Sequence, residues 1–169
     1  MAHKRGLLIV GLTTYYQQHV EVLDVLRDLL EGSSALSLRT LDYFITTYSK
    51  EHGTVFYLND KGALVGAGGA GEKLSKLNVH HAYRSQLQAY GKAMFDPFRR
   101  RERISFAPVE GRAPIETTVG QLNCVRWLHS SGVLQYVETH LAGIEAGMKG
   151  ANVSPEKTLV KGFQTLSFA

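Results

Sequence analysis

The spacing of apolar residues is the strongest constraint on how this chain folds. Between His19 and Leu30, the residues Val22, Leu23, Val25, Leu26, Leu29 and Leu30 recur at the period of one helix face. Gly32 follows as a stop. Ser37 is placed to cap a second helix carrying Leu38, Leu41, Phe44, Ile45 and Tyr48, and Gly53 closes it. The short Gly-Ser loop between these helices predicts an antiparallel pair. A third helix is expected over Val79 to Met94, with Tyr83, Leu87, Tyr90 and Met94 on one face and Pro97 ending it. Thr118 caps a fourth that runs through Leu128, Gly132 breaks it, and Val133 to Met148 makes a fifth. Leu7 to Leu12 reads either as a short buried strand or as the apolar lead into a helix. Short β-branched or aromatic runs lie between the helices: Thr54 to Leu58, Ala63 to Val65, Arg103 to Ala107 and Ile115 to Thr117. The fold class is therefore α+β. We expect a mainly helical single domain of about five helices over residues 1–150, with a small antiparallel sheet of short strands. Residues 151–169 carry weak signals and are expected to form a C-terminal arm.

The chain has 169 residues, 44% of them hydrophobic and 20% charged, which suits one domain with a real core and disfavours disorder throughout. The net charge of +4 points modestly towards a polyanionic partner. Cys124 is the one cysteine. No intramolecular disulfide and no cysteine-based zinc site can form, as expected of a reducing, intracellular or virion-internal setting. No segment approaches the ~20 apolar residues that span a bilayer, and Leu7 to Val10 is too short for a signal-peptide core, so no membrane partner is expected.

Enzymatic motifs are weak. Gly66, Gly68 and Gly71 match G-x-G-x-x-G, but the region about 20 positions on reads as helix and holds no acid for a ribose. The same tract fails as a P-loop, because Glu72 precedes Lys73 and would repel phosphate. A surface loop is the plainer reading. His80 and His81 are adjacent and would diverge on a helix, and no metal-binding spacing is present. There is no G-x-S-x-G elbow, and Asp24, Asp28, Asp42, Glu102 and Glu116 form no local pair. Cys124 lies in an apolar helix with only His129 as a candidate base, so packing is its expected role. Neither an enzyme nor a cofactor is expected.

The segment from His80 to Arg103 stands apart. Arg84, Lys92, Arg99, Arg100, Arg101 and Arg103 fall within it, interleaved with Tyr83, Tyr90, Phe95 and Phe98. Arginine binds phosphate bidentately, and aromatics beside it suit single strands or bases. The Asp96-Pro97 turn would present the arginines rigidly at the start of a strand. The plainer alternative is an amphipathic helix with a solvated basic rim, its aromatics in the core and Asp96 and Glu102 neutralising some arginines. Downstream, Gln121, Asn123 and Arg126 lie near a helix N-terminus and suit anion contact, while Leu122, Val125 and Trp127 anchor the core.

Two of these stretches carry a resemblance. The runs HAYRSQLQAYGKAMFDPFRRRERI and ETTVGQLNCVRW are similar to the patterns YKSQLKAYSKKxFDPFCRRxRI and ETTxGQLNFFRW of an uncharacterised family of nucleocytoplasmic large DNA viruses. The upstream LDYFITTYSK also resembles that family, and the likeness covers roughly residues 36–140. Arg99 stands where Cys is common, and Cys124-Val125 where Phe-Phe is common. The resemblance implies a viral origin, in the virion or the host cytoplasm or nucleus, but no activity. The expectation is a non-enzymatic basic protein that contacts DNA or RNA through Arg84, Lys92, Arg99, Arg100, Arg101, Arg103 and Arg126. The alternative is a structural or assembly protein of the virion whose arginines meet acidic protein partners, with homo-oligomerisation open in either case.

Overall fold

The computed structural model describes residues 2–65 and 73–151. The Gly66–Gly71 tract and the arm beyond residue 151 lie outside the described residues. The Leu7 to Leu12 run belongs to a helix: α1 (Ala2–Gln18) buries Leu12 and Tyr16 on one face. The Tyr16 hydroxyl donates to the Leu122 carbonyl at 2.8 Å, which ties the helix to the centre of the molecule. The chain turns at His19 into α2 (Val20–Glu31), whose buried stripe is Val22, Leu23, Leu26 and Leu29. Gly32 then ends it in the left-handed conformation at φ 71°, as its position after the last apolar residue anticipated.

Ser37 caps α3 (Leu38–Tyr43) by accepting from the Thr40 amide. The helix continues through a π-helical turn (Phe44–Tyr48) into α4 (Ser49–His52), which Gly53 closes. The antiparallel pairing expected of α2 and α3 is not the main packing. α2 packs on α1 and α6, and α3 packs on α8. Both faces had better partners than the short loop between them suggested.

The predicted strands form, divided between two antiparallel sheets. In the first, β1 (Val55–Leu58) lies between β2 (Leu64–Val65) and β3 (Ser75–Asn78). The Asn59 side chain accepts from the Lys61 and Ala63 amides and so builds the β1–β2 turn. Sequence patterning missed β3, because Ser-Lys-Leu-Asn is neither apolar nor β-branched and is held by its ladder to β1. Asn78 ends β3 and caps α5 (Val79–Tyr90). The third helix stops there and does not run to Pro97: Gly91, at φ 78°, closes it by donating to the Leu87 carbonyl. After a loop, β4 (Ile104–Phe106) pairs with β5 (Ile115–Thr117).

Thr118 caps α6 (Val119–Ser130), which is buried over Val119–Val125 and again at Trp127 and Leu128. A helix apolar on nearly every side is a core helix. Here α1, α2 and α7 surround it. The expected fifth helix is two: α7 (Val133–Thr139) and α8 (Leu141–Ala151), broken at His140, whose backbone leaves helical geometry. One hydrophobic core runs from Leu12 through Phe44, Phe95, Leu122 and Val137 to Ile144. No helix among the described residues is long and apolar enough to cross a membrane.

Candidate functional site

The Arg-rich segment is a loop clamped onto the N-terminal half of α6. Asp96 donates its amide to the Gly120 carbonyl at 3.2 Å. The buried Gln121 side chain donates to the Pro97 carbonyl at 3.0 Å, and its own oxygen accepts from the Thr117 hydroxyl. The Thr118 hydroxyl donates to the Arg99 carbonyl at 2.9 Å, and Asn123 to the Met94 carbonyl at 2.8 Å. Buried polar groups are retained only when paired, and Thr118, Gln121 and Asn123 each donate to a carbonyl of the loop backbone. Gln121 and Asn123, expected as anion contacts, are thus buried braces. Their i, i+2 spacing on α6 carried no sign of the loop that covers them.

Within the loop, alternate residues point in and out. Phe95 is 1% exposed and packs on Tyr83, Tyr90 and Trp127. Pro97 is buried, whereas Phe98 is 40% exposed. The Asp96 carboxylate accepts from the Phe98 amide at 2.8 Å, so this acid shapes the turn. Glu102 does the neutralising, with Arg99 at 3.5 Å and Arg5 of α1 at 3.6 Å. Glu102 is also the one non-glycine at positive φ (60°) among the described residues. Such backbone strain persists only where surrounding contacts hold it.

The seven expected contact residues are distributed as follows. Arg100, Arg101 and Arg103 are exposed on the loop. Arg100 and Arg103 line one cleft together with Phe98, Leu30, Leu38 and Glu116. Arg101 lines another with Arg5 and Glu102. Arg99 is half-buried, bound by Glu102 and packed over Gly120. Arg126 turns inward to the Tyr90 hydroxyl and the Asn123 side-chain oxygen. Lys92 lines a cleft that also holds Asp42 and Asp96. Burial and then the Asp96 charge push the Asp42 carboxyl above its ordinary range, and Lys92 pulls it back. Arg84 stands on α5 beside Ser85, Leu87 and Gln88. Arg5 was missed by sequence reasoning, since nothing local links it to Glu102.

A second polar cluster joins α1, α2 and α6. The Tyr15 hydroxyl hydrogen-bonds His129 Nδ1, and His19 stacks on Tyr15 at 4.2 Å. Burial, then neighbouring His19, lowers the His129 pKa from 6.5, against the opposing pull of Glu21 and Glu138. His129 Nδ1 meets the Tyr15 hydroxyl, and Nε2 lies 3.9 Å from a Glu21 carboxylate oxygen. Cys124 has no such neighbour. It is fully buried and its thiol is pushed far up by burial, with Asp96 and Asp42 adding to the effect. Its expected packing role agrees with that setting. Among the described residues no three metal-ligating side chains converge. His80 reaches the Ile45 carbonyl, and His81 is exposed.

Fold and site together define a mainly helical α+β domain that displays a braced, Arg-rich loop. The chain belongs to the family of unknown function DUF7197, whose model matches residues 3–164. It is 29% identical over 139 residues to uncharacterized protein L507 of Acanthamoeba polyphaga mimivirus. That match covers 80% of this chain and 50% of the relative, so the chain spans half of the relative's length. The resemblance to an uncharacterised family of large DNA viruses is borne out. No solved structure matches.

Proposed function

We propose that this chain is a non-enzymatic viral binding protein that holds nucleic acid through Arg100, Arg101 and Arg103. One observation carries the reading: three exposed arginines stand on a loop whose backbone is fixed by three buried side chains, Thr118, Gln121 and Asn123. Long arginines on a rigid base lose less freedom when they bind phosphate than arginines on an unbraced loop. Among the described residues none of the three is in an ion pair, whereas Arg99 and Arg5 already share Glu102. Arg84 extends the basic surface along α5, while Lys92 contributes less because two carboxylates lie near it.

Fluorescence polarisation with a labelled oligonucleotide tests this across a salt series. Three phosphate contacts predict a log–log salt slope of about −2 to −3. The triple variant Arg100→Ala, Arg101→Ala, Arg103→Ala should bind weakly with a slope near zero. Failure of the unaltered protein to bind DNA or RNA at about 50 mM salt would sink the proposal.

Assembly onto an acidic protein face is the second reading. It is favoured by Leu7 and Val10, which stand 61% and 64% exposed on α1, the helix that carries Arg5. Cross-linking in virions separates the two readings, since protein-only contacts through the loop support assembly.

A further inference from the structure

Phe98 is not where a hydrophobic residue of the core would be. Its neighbours Pro97 and Arg99 are both clamped to α6 through their carbonyls, and its own amide is held by Asp96. The residue is nonetheless 40% exposed. A turn built this firmly holds an aromatic face outward at no further ordering cost on binding. The face borders a cleft of 310 Å³ against the end of α2 and the start of α3, where Leu30 and Leu38 supply the apolar wall. Arg100 and Arg103 also line it, as does Glu116 from β5. Gln121 also lines it, but its amide is spent on Pro97 and Thr117.

We infer that this cleft receives one unstacked nucleobase of a single-stranded nucleic acid, stacked on Phe98, with the flanking phosphates on Arg100 and Arg103. The inference rests on the nucleic-acid reading above and names its ligand class. Charge complementarity selects the occupant. A mixed cleft in which two arginines stand beside Phe98, Leu30 and Leu38 fits a flat, uncharged ring carried on an anionic backbone, and it does not fit an apolar peptide. The volume lies at the low end of ligand pockets, about 300 Å³, which is room for one ring system. Aromatic stacking of this kind tolerates any base, because every base has a π-face. Among the described residues Glu116 is in no ion pair. Its carboxylate accepts from an exocyclic amine, so cytosine is favoured over thymine, which lacks one. A duplex keeps its bases stacked and offers the cleft nothing.

The test compares oligo-dC, oligo-dT and a duplex of equal length by polarisation at one salt concentration, for the unaltered protein, Phe98→Ala and Phe98→Tyr. The expected result is single-strand binding tighter than duplex binding by on the order of tenfold, with oligo-dC ahead of oligo-dT. Phe98→Ala should lose the single-strand preference while keeping the salt slope, and Phe98→Tyr should retain both. Circular dichroism confirms that the variants are folded. Equal or tighter duplex binding by the unaltered protein overturns the base-cleft inference and leaves the arginine reading standing. So does a single-strand preference that survives Phe98→Ala. Absence of binding to all three ligands overturns both.

Discussion

His129 shows how one side chain can carry a pH dependence without belonging to a catalytic site. Its ring pairs with the Tyr15 hydroxyl of α1 and faces Glu21 of α2, so it links two helices to α6. The folded pKa lies below the ordinary 6.5, chiefly through burial. Below 6.5 the unfolded chain therefore binds more protons than the folded one, and stability rises with pH in that window. The contribution is complete above 6.5 and is lost as pH falls from there through the lower folded value. Thermal melts across this range should show a fall in Tm on acidification that is smaller in His129→Gln. An unchanged pH dependence in that variant would remove His129 from the account. The sequence did not disclose this cluster, because Tyr15, Glu21 and His129 come together only once α1 and α2 pack on α6.

At the scale of elements, the junction between the Arg-rich loop and α6 is set by Gly120. A Cβ there would lie 2.9 Å from Arg99 Cβ and 3.2 Å from the Ala93 carbonyl oxygen. Both atoms belong to or adjoin loop backbone, so neither can swing aside alone. Gly120→Ala gains about 1 kcal/mol of helix propensity, but overpacking costs about 1–3 kcal/mol. We expect a net loss of stability in denaturant titration, together with weaker oligonucleotide binding as the loop is displaced. Which elements were legible in sequence follows the same logic. Ser37, Thr118, Gly32 and Gly53 mark helix ends by local chemistry, and each acts as its position suggested. The end of α5 at Gly91 and the break at His140 were misplaced, since the apolar period continues past both. β3 exists because β1 pairs with it, which no local pattern records. For the site, the arginines and the Asp96-Pro97 turn were visible in the sequence. The buried amides that brace them were visible only as polar residues on a helix, and their burial depends on the loop crossing over them.

At the scale of the whole molecule, the loop that carries the charge also closes the core. Phe95 enters it and Phe98 leaves it, so the proposed binding surface and the hydrophobic interior share one short stretch of backbone. Substitutions at Phe95 should therefore cost stability and binding together, whereas those at Arg100 or Arg101 should cost binding alone. Glu102 adds a threshold to this arrangement. Its carboxylate already occupies Arg5 and Arg99 at the high effective concentration of a tethered group. A small anion that is to bind Arg5 or Arg99 must evict it. A polymer bound as proposed would engage Arg100, Arg101 and Arg103 first and then compete from a tethered position of its own. On the proposed nucleic-acid reading, Glu102 would act as a resident decoy that keeps free phosphate off Arg5 and Arg99. Removing it by Glu102→Gln should make inorganic phosphate a stronger competitor against an oligonucleotide in a displacement titration than it is for the unaltered protein.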